Sequence, residues 1–398
     1  MPREDLVDLL RDAPLIDGHN DLLWALRSAH LEAPDDPEPD LREPYPTFMT
    51  DLPRLRAGGM GGQFWSVYVP SDLPPHEAVT QTLEQIDGYH RLLASYPTNL
   101  GAARTADDIA RVSGSGRIAS MIGVEGGQSI GSSLGALRIL AGLGAGYMTL
   151  THNDDTPWAD SATGERAHGG LTRFGEEVVR EMNRLGVLVD CSHASDDVMR
   201  QAIELSEAPV VFSHSSTRAL ADVPRNVPDD VLELVGRTRG VVMVAFVPGF
   251  VTERGAAIYR EGMVEVGRLR EEHPGDPLAV ERAIDIWFGE QGEVDVTPAD
   301  VADHIDHVRE VAGIDAIGVG GDYDGVPSMG AHLADVSTYP LVFAELRERG
   351  YTDTELQQIA GRNVMRLMRE AETVAARLQR ERGPSLATIE HLDEEAAG

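Results

Sequence analysis

Residues 14–21 read Pro-Leu-Ile-Asp-Gly-His-Asn-Asp, and the fold is best worked out from this stretch. Its apolar first half predicts a buried strand that ends in His19 and Asp21. Because alternate residues of an extended chain point the same way, the imidazole and the carboxylate can converge on one point. That arrangement suits a divalent metal, although His and Asp at this spacing also occur by chance. The ends of the other strands decide between these two interpretations.

The composition excludes several classes of function. The chain has 398 residues, a formal net charge of -32 and no lysine. Such acidity argues against nucleic acid or an anionic membrane as a partner. Without lysine there is no P-loop lysine, no Schiff-base lysine and no carbamylated lysine to bridge two metals. The single cysteine, Cys191, excludes an intramolecular disulfide and a cysteine-rich zinc cluster. Because no secretory leader, membrane anchor or long apolar span is recognisable, a cytoplasmic location is expected.

Apolar stretches rich in β-branched residues recur along the chain, and helical patterns separate most of them. The predicted strands are 14–19, 61–69, 117–125, 147–152, 186–193, 208–214, 240–247 and 314–322. Near-continuous apolar strands are typical of parallel sheets buried on both faces. Eight such units predict an α/β fold, a (β/α)8 TIM-like barrel. We expect one domain over residues 1–398, beginning with a short helix at 3–12. An insertion is predicted near 251–300 and a loose tail from about 384.

Polar residues that can bind metals follow strand after strand. They are His19, Asp21, Glu125, His152, His193, His214, Asp322 and Asp324. In a barrel the carboxyl ends of the strands open onto one face, where active sites are built. The set is typical of a two-zinc hydrolytic site, in which a carboxylate is shared between the metals. Glu125 is the expected bridge, with His19 and Asp21 completing one ligand group and His193 and His214 the other.

Each of these residues also has a purely structural interpretation. Glu125 could be a loop carboxylate, Asp322 and Asp324 could cap a following helix, and Cys191 fits core packing better than catalysis. The remaining histidines lie in predicted loops or on polar helix faces and are expected at the surface. They are His30, His76, His90, His168, His273, His304, His307, His332 and His391.

At these positions the chain resembles the membrane (renal) dipeptidase family, the M19 metallopeptidases of the amidohydrolase superfamily. The resemblance runs from residue 14 to about 370 and rests on a consistent series of motifs. They are Ile-Asp-Gly-His-Asn-Asp at 16–21, Gly-Gly-Gln-Phe-Trp-Ser-Val-Tyr at 61–68, Gly-Val-Glu-Gly-Gly at 123–127, Thr-Leu-Thr-His-Asn at 149–153, Thr-Pro-Trp-Ala-Asp at 156–160, Ser-His-Ser-Ser at 213–216, Arg-Asn-Val-Pro-Asp-Asp at 225–230 and Gly-Gly-Asp-Tyr-Asp-Gly-Val-Pro at 320–327.

The resemblance implies a soluble, bacterial-type metallo-dipeptidase on a barrel of the metal-dependent hydrolase type, with two zinc ions held by the two ligand groups named above. It implies hydrolysis of dipeptides with a free C-terminal carboxylate, including L-Xaa-D-Xaa substrates, by attack of a metal-bridging hydroxide. His152 would stabilise the oxyanion and contact substrate, and Asp322 would carry the proton to the leaving amine. Arg225 would bind the terminal carboxylate, which its planar fork suits, and Tyr68 would contact substrate. The family also suggests a homodimer, whereas the lipid anchor of mammalian relatives does not carry over.

Two other functions remain open at this point. The first is another amidohydrolase-superfamily hydrolase on the same barrel, such as a lactonase, a deaminase or a cyclic-amide hydrolase. A neutral lactone would give Arg225 nothing to bind, so this residue discriminates between the two activities. The second is a catalytically silent barrel that acts as a binding protein, which would be expected to lack a ligand or the proton carrier.

Overall fold

The computed structural model describes residues 13–35 and 37–394, together with Leu6, Leu9 and Leu10. The helix expected over 3–12 therefore falls mostly outside the described residues. Within them, the strands are β1 (Leu15–Asn20), β2 (Met60–Tyr68), β3 (Leu100–Ala102), β4 (Ile118–Glu125), β5 (Ala145–Thr149), β6 (Leu188–Asp190), β7 (Val211–Phe212), β8 (Val241–Val244) and β9 (Ile317–Val319).

Eight of these strands form a closed parallel barrel, in the order β1, β2, β4, β5, β6, β7, β8, β9 and back to β1. This confirms the predicted (β/α)8 fold, and each predicted strand overlaps an observed one. The short β3 was not predicted; it pairs with the beginning of β4, outside the closed circuit.

Helices surround the barrel and connect its strands. They are α1 (Leu22–Glu32), α2 (Leu52–Ala57), α3 (Pro75–Ser95), α4 (Ala106–Ser113), α5 (Leu134–Leu143), α6 (Arg173–Leu185), α7 (Asp196–Leu205), α8 (Asp229–Thr238), α9 (Pro248–Val251), α10 (Glu253–Glu272), α11 (Pro277–Glu290), α12 (Pro298–Val311), α13 (Tyr339–Glu348), α14 (Asp353–Gln357) and α15 (Asn363–Glu381). Local sequence fixes many of their ends. In α6, for example, the Thr172 hydroxyl accepts from the amide of Gly175, and Gly186 ends the helix at a φ of 77°. None of the described helices combines the length and apolar character needed to cross a membrane.

The seam between β1 and β9 is closed by a buried carboxylate and two glycines. Asp17 accepts hydrogen bonds from the Gln63 side chain on β2 and from the amide of Gly321 just after β9, at 3.0 and 2.9 Å. A Cβ on Gly18 would lie 2.3 Å from the carbonyl oxygen of Ser213, and one on Gly320 would lie 1.9 Å from it. Only glycine allows this approach, which brings the ends of β1, β7 and β9 together.

The expected insertion is a pair of helices, α10 and α11, between β8 and β9. The two helices share a small apolar core of Leu269, Val280 and Ile284. The following α12 packs against the barrel at β8 and β9, so the insertion ends before it. The sequence of 251–300 shows only part of a helical period because few positions of the two helices are buried.

The C-terminal segment differs from the loose tail expected from about 384. The guanidinium of Arg138 donates to the carbonyl oxygen of Ser385 at 2.8 Å. The carboxylate of Asp393 accepts from the Thr172 hydroxyl at 2.7 Å and from the amide of Phe174 at 3.2 Å, at the start of α6. The segment is held by these specific polar contacts, which its Pro- and Glu-rich composition does not reveal.

Candidate active site

The predicted site residues lie together at the carboxyl ends of the barrel strands. A cavity of about 330 Å³ opens there. Of the predicted residues, its lining contains Asp21, Tyr68, Glu125, His152, His193, His214, Arg225, Asp322 and Asp324. His19 is fully buried and contacts the lining through Asp21 and Glu125, 3.3 Å from an oxygen of each. Side chains far apart in sequence therefore meet in one place, as the barrel predicts.

Two groups of ligand atoms share the carboxylate of Glu125. Its Oε2 lies 3.3 Å from Nε2 of His19, which also lies 3.3 Å from Oδ2 of Asp21. Its Oε1 lies 3.2 Å from Nε2 of His193 and 3.7 Å from Nε2 of His214. Each oxygen of Glu125 thus faces a different group, which is the arrangement expected of a bridging ligand.

The distances within each group fit a bound metal. Ligands roughly 2.0–2.1 Å from a tetrahedral zinc lie about 3.3 Å from one another. The Nε2 atom of His19 is buried between the oxygens of Asp21 and Glu125 without a well-aligned hydrogen bond to either. The Nε2 atoms of His193 and His214 face each other at 3.0 Å. Buried nitrogen atoms are seldom left unpaired or opposed in this way, and a cation between them would resolve both contacts.

A tyrosine hydroxyl fixes the tautomer of His19. Tyr147 lies in β5 with its ring against Gly123, where a Cβ would come within 2.3 Å of the phenol oxygen. This oxygen donates to the carbonyl of Gly18 at 3.1 Å and lies 2.8 Å from Nδ1 of His19. Because the phenol has a single proton, it must accept from Nδ1–H. Nε2 of His19 therefore faces Asp21 and Glu125. Burial lowers the pKa of His19, but Tyr147, Glu125 and Asp21 outweigh this effect and raise the pKa well above its ordinary value, so Nε2 carries a proton that a bound metal would displace.

The hydroxyl of Ser213 fixes the tautomer of His214. It donates to Oδ2 of Asp190 at 2.6 Å and lies 2.8 Å from Nδ1 of His214. The hydroxyl therefore accepts from Nδ1–H, and the lone pair of His214 lies on Nε2, facing Glu125. Asp190 also accepts from the Thr149 hydroxyl at 2.6 Å and from the amide of Ser213 at 2.9 Å.

Burial and neighbouring charges set the protonation states. Burial keeps the pKa of His193 and of His214 well below the ordinary value, so both are neutral and able to bind a metal. Burial opposes ionisation of Glu125, but the nearby histidines outweigh it and hold its pKa well below its usual range. In Asp322, burial raises the pKa well above the ordinary value, and the negative Asp21 and Glu125 raise it further. The cavity thus contains both an ionised carboxylate and a carboxyl group that holds a proton.

Backbone geometry at three of the predicted site positions is strained. His193 and Asp322 have φ angles of 64° and Asp324 one of 65°, in the left-handed region that non-glycine residues rarely adopt. The amide of Asp322 donates to the carbonyl of His19 at 3.2 Å, which fixes the end of β9 beside the end of β1. Neither Asp322 nor Asp324 caps a helix; Asp324 accepts from the amide of Met49 at 2.6 Å. The helix-cap interpretation is therefore wrong for both.

Arg225 is a buried cation directed into the cavity. It is 1% exposed, and its guanidinium lies over the ring of Phe250, 4.9 Å from the centroid. Its Nη2 makes a long contact of 3.4 Å with the carbonyl of His214, while Nε and Nη1 have no hydrogen-bond partner. A buried guanidinium with free donors is a ready site for a carboxylate.

His152 and Tyr68 form the wall beside Glu125. Nε2 of His152 lies 3.6 Å from Oε1 of Glu125, and its ring centroid is 4.3 Å from that of His193. The Tyr68 ring packs at 4.9 Å from His152 and at 4.8 Å from Trp24. Burial lowers the pKa of His152, so its imidazole is neutral and can donate a single N–H to an oxygen in the cavity.

The residues that hold the candidate ligands in place were not predicted from the sequence. Ser213 precedes His214 directly, which was an available signal, whereas the contact of Tyr147 with His19 crosses the barrel and leaves no local pattern. His304 was wrongly expected at the surface. It is 1% exposed, its Nδ1 accepts from the amide of Thr217 at 3.0 Å, and its Nε2 lies 3.0 Å from the carbonyl of Val251. Cys191 is buried in the core, as expected.

A parallel eight-stranded barrel with a carboxylate shared between two histidine-containing groups defines the class of metal-dependent hydrolases. Residues 3–382 match the family model of the membrane dipeptidases, peptidase family M19. The chain is 40% identical over 377 residues to mouse (Mus musculus) dipeptidase 3, covering 94% of this chain and 67% of that protein. The chain therefore belongs to the membrane dipeptidase family, which confirms the predicted family and enzyme class, a metallo-dipeptidase.

Solved structures share this fold. The probable dipeptidase PvdM from Pseudomonas aeruginosa superimposes with a TM-score of 0.79 at 23% identity, over 94% of this chain and 99% of that one. A metallopeptidase from Rhodobacter sphaeroides, bound to a phosphinate mimic of the dipeptide L-Ala-D-Ala, gives a TM-score of 0.73 at 24% identity. That match covers 90% of this chain and 99% of the other.

Proposed function

We propose that this enzyme hydrolyses dipeptides with a free C-terminal carboxylate, L-Xaa-D-Xaa dipeptides among them, with two zinc ions. The observation that carries the proposal is the pair of ligand groups sharing Glu125. His19, Asp21 and Glu125 would hold one zinc, and Glu125, His193 and His214 the other. When bound, the two ions would polarise the scissile carbonyl and lower the pKa of the attacking water.

Arg225 supports the choice of substrate. Two of its nitrogens are buried and unpaired, and a substrate carboxylate would supply the missing acceptors. This contact would orient the dipeptide with its peptide bond towards Glu125 and its terminal carboxylate towards Phe250. The phosphinate mimic of L-Ala-D-Ala in the R. sphaeroides structure supports an L,D-dipeptide as the substrate type.

Asp322 and His152 would carry the proton and the developing charge. Asp322 would take the proton of the attacking water at its carboxylate and pass it to the nitrogen of the leaving amine. The neutral His152 would donate its Nε2–H to the carbonyl oxygen as negative charge develops there. Tyr68, packed on His152, would fix the imidazole and contact the substrate. Asp322 needs a free carboxylate for the first step, and bound cations would lower its raised pKa towards that state.

The test is metal analysis combined with kinetics on L,D-, L,L- and D,L-dipeptides. We expect about two zinc ions per chain, hydrolysis of L,D-dipeptides, loss of activity after chelation and recovery with added zinc. Full activity after exhaustive chelation would rule out the metal mechanism. Hydrolysis of a neutral lactone or cyclic amide in preference to every dipeptide would favour the alternative hydrolases. The homodimer and the cytoplasmic location stay predictions.

A further inference from the structure

A further cavity, of about 320 Å³, lies beside the reaction cavity and has no part in the proposed reaction. Five residues line both this side cavity and the reaction cavity, so a single layer of residues lies between the two spaces. They are Phe250, Tyr259, Phe288, Val326 and Pro327. The inserted helix pair α10–α11 and the chain that follows it supply most of the remaining wall of the side cavity.

The shared layer reaches the protein surface. Phe288 and Val326 are half-buried, and Pro327 is exposed. Both cavities therefore open towards solvent at this edge, and a group that is bound in one of them can extend across the edge into the other.

The lining of the side cavity is mainly apolar. Val247, Ile258 and Val294 contribute aliphatic surface, and neighbouring glycines leave room between them. The lining has one charged residue, Glu293, and one serine, Ser328, and both are exposed to solvent. The reaction cavity differs, because its wall includes the carboxylates, imidazoles and guanidinium described above. The side cavity therefore suits a hydrocarbon group and offers little to a charged one.

Two glycines of α10 allow the close packing that shapes the side cavity. A Cβ on Gly262 would lie 2.5 Å from the ring of Phe288, so only glycine lets α10 approach this part of the wall. A Cβ on Gly255 would lie 1.9 Å from the carbonyl oxygen of Pro248, where α9 meets the start of α10. The side cavity thus depends on close contacts between helices and is not a gap in loose packing.

Phe250 connects the side cavity to the place where the substrate carboxylate would bind. Its ring lies under the guanidinium of Arg225, 4.9 Å from the ring centroid, and packs edge-on against Tyr259 at 5.3 Å between centroids. In an amino acid the α-carboxylate and the side chain are attached to the same carbon atom. A C-terminal carboxylate bound by Arg225 would therefore hold the side chain of the same residue beside Phe250, at the edge of the side cavity.

We infer that the side cavity binds an apolar side chain of the C-terminal residue of the dipeptide, such as that of leucine. The inference rests on the proposed dipeptidase function and adds a substrate class to it. The N-terminal side chain is a less suitable occupant, because its α-carbon is bonded to the scissile carbonyl. That carbonyl would lie at Glu125, which lines the reaction cavity and not the side cavity.

Leucine and asparagine provide a test, since their side chains have nearly the same shape and only that of leucine is apolar. The substrates are L-Ala-D-Leu with L-Ala-D-Asn, and L-Leu-D-Ala with L-Asn-D-Ala. We expect kcat/KM to favour leucine by roughly 10–100-fold at the C-terminal position, the factor that burial of a leucine side chain supplies, and far less at the N-terminal position.

Ile258→Asn and Val294→Asn, made separately, place an amide in the apolar wall. Each should lower the C-terminal preference for leucine by roughly ten-fold, because a buried amide without a partner disfavours a hydrocarbon neighbour. Ile258 lies in α10 and Val294 follows α11, and neither lines the reaction cavity. If one variant fails to fold, as judged by thermal unfolding, the other still provides the test.

Val264→Asn is the matched control, because Val264 is also a branched apolar residue of α10 but is 77% exposed and lines neither cavity. It should keep the preference for leucine. Equal kcat/KM for L-Ala-D-Leu and L-Ala-D-Asn in the wild type would overturn the inference. The same holds for a preference that the folded variants retain, or one confined to the N-terminal position. Failure of the proposed function looks different: the wild-type zinc enzyme would then hydrolyse none of the four dipeptides, and the inference would fall with it.

Discussion

Replacing Tyr147 by Phe removes one oxygen atom and tests how the protein prepares His19 for metal. The substitution deletes the contact of 2.8 Å with Nδ1 of His19 and the hydrogen bond of 3.1 Å to the carbonyl of Gly18. The ring itself stays, so packing on Phe64 and Gly123 is kept. The effect should therefore be on the orientation and tautomer of His19 and not on the barrel.

Two estimates of the expected loss of zinc-binding free energy agree. Leaving a buried N–H unpaired costs about 1–3 kcal/mol. Removing a hydrogen-bond partner of a metal-binding histidine typically weakens metal affinity by roughly 10–100-fold, or about 1.4–2.7 kcal/mol. We expect Tyr147→Phe to bind one zinc ion more weakly by this factor and the other nearly as before. A smaller loss of activity at saturating zinc should accompany it.

The assay is a competition titration of zinc against a chelator, with thermal unfolding of the metal-free protein beside it. Tyr89→Phe is the control, because the Tyr89 hydroxyl is also buried and donates to a backbone carbonyl, that of Ser120, at 2.8 Å. This variant should lose stability but bind both zinc ions normally. If Tyr147→Phe binds both ions as tightly as the wild type, the phenol does not set the state of His19 and the reasoning is refuted.

The remaining predictions concern the other functional groups. Asp322→Asn should lower kcat by roughly 10²–10⁴-fold with the zinc content unchanged, as measured by kinetics and metal analysis; loss of a zinc ion would instead identify Asp322 as a ligand. Arg225→Met should lower kcat/KM for dipeptides by roughly 100-fold, yet unfold no more easily than the wild type, because it removes a buried charge with two unpaired nitrogens. Ser213→Ala should weaken the second zinc, held by His193 and His214, by roughly 10–100-fold in the same titration, and normal affinity would contradict the role given to its hydroxyl. Chelation should lower the melting temperature and zinc should restore it; identical unfolding with and without zinc would contradict binding to the native state.

The barrel and the cluster of candidate ligand residues were predictable because both depend on local patterns. Buried parallel strands are continuously apolar, so a polar residue that follows one, such as Glu125 or His214, stands out in the sequence. The geometry of a barrel then brings these residues together without further information. The clustering that the structure shows at Glu125 therefore follows from strand ends and topology alone.

The contacts that support the candidate ligands were not predictable, because they join residues far apart in the sequence. Tyr147 meets His19 across the barrel interior, and Asp393 meets Thr172 more than two hundred residues away along the chain. No local pattern in the sequence indicates contacts between residues so far apart. His304 sits on a helix with a polar sequence, and only the fold shows that its imidazole bonds the backbone of Thr217 and Val251. The walls of the cavity depend in the same way on how α10 and α11 pack.

The helix pair α10–α11 has a core of its own, Leu269, Val280 and Ile284, separate from the larger clusters of the barrel. The proposed ligands, in contrast, follow barrel strands whose close backbone contacts tolerate little change. Mutations in this separate core should therefore disturb the proposed ligands less than mutations in the barrel strands do. The substrate-facing helix pair and the catalytic barrel are thus separate units. Exchange of the helix pair would change the substrate range of related enzymes before it changed their reaction. A chimaera with another helical hairpin at this position would inherit its substrate range from the donor and its rate of bond cleavage from the host.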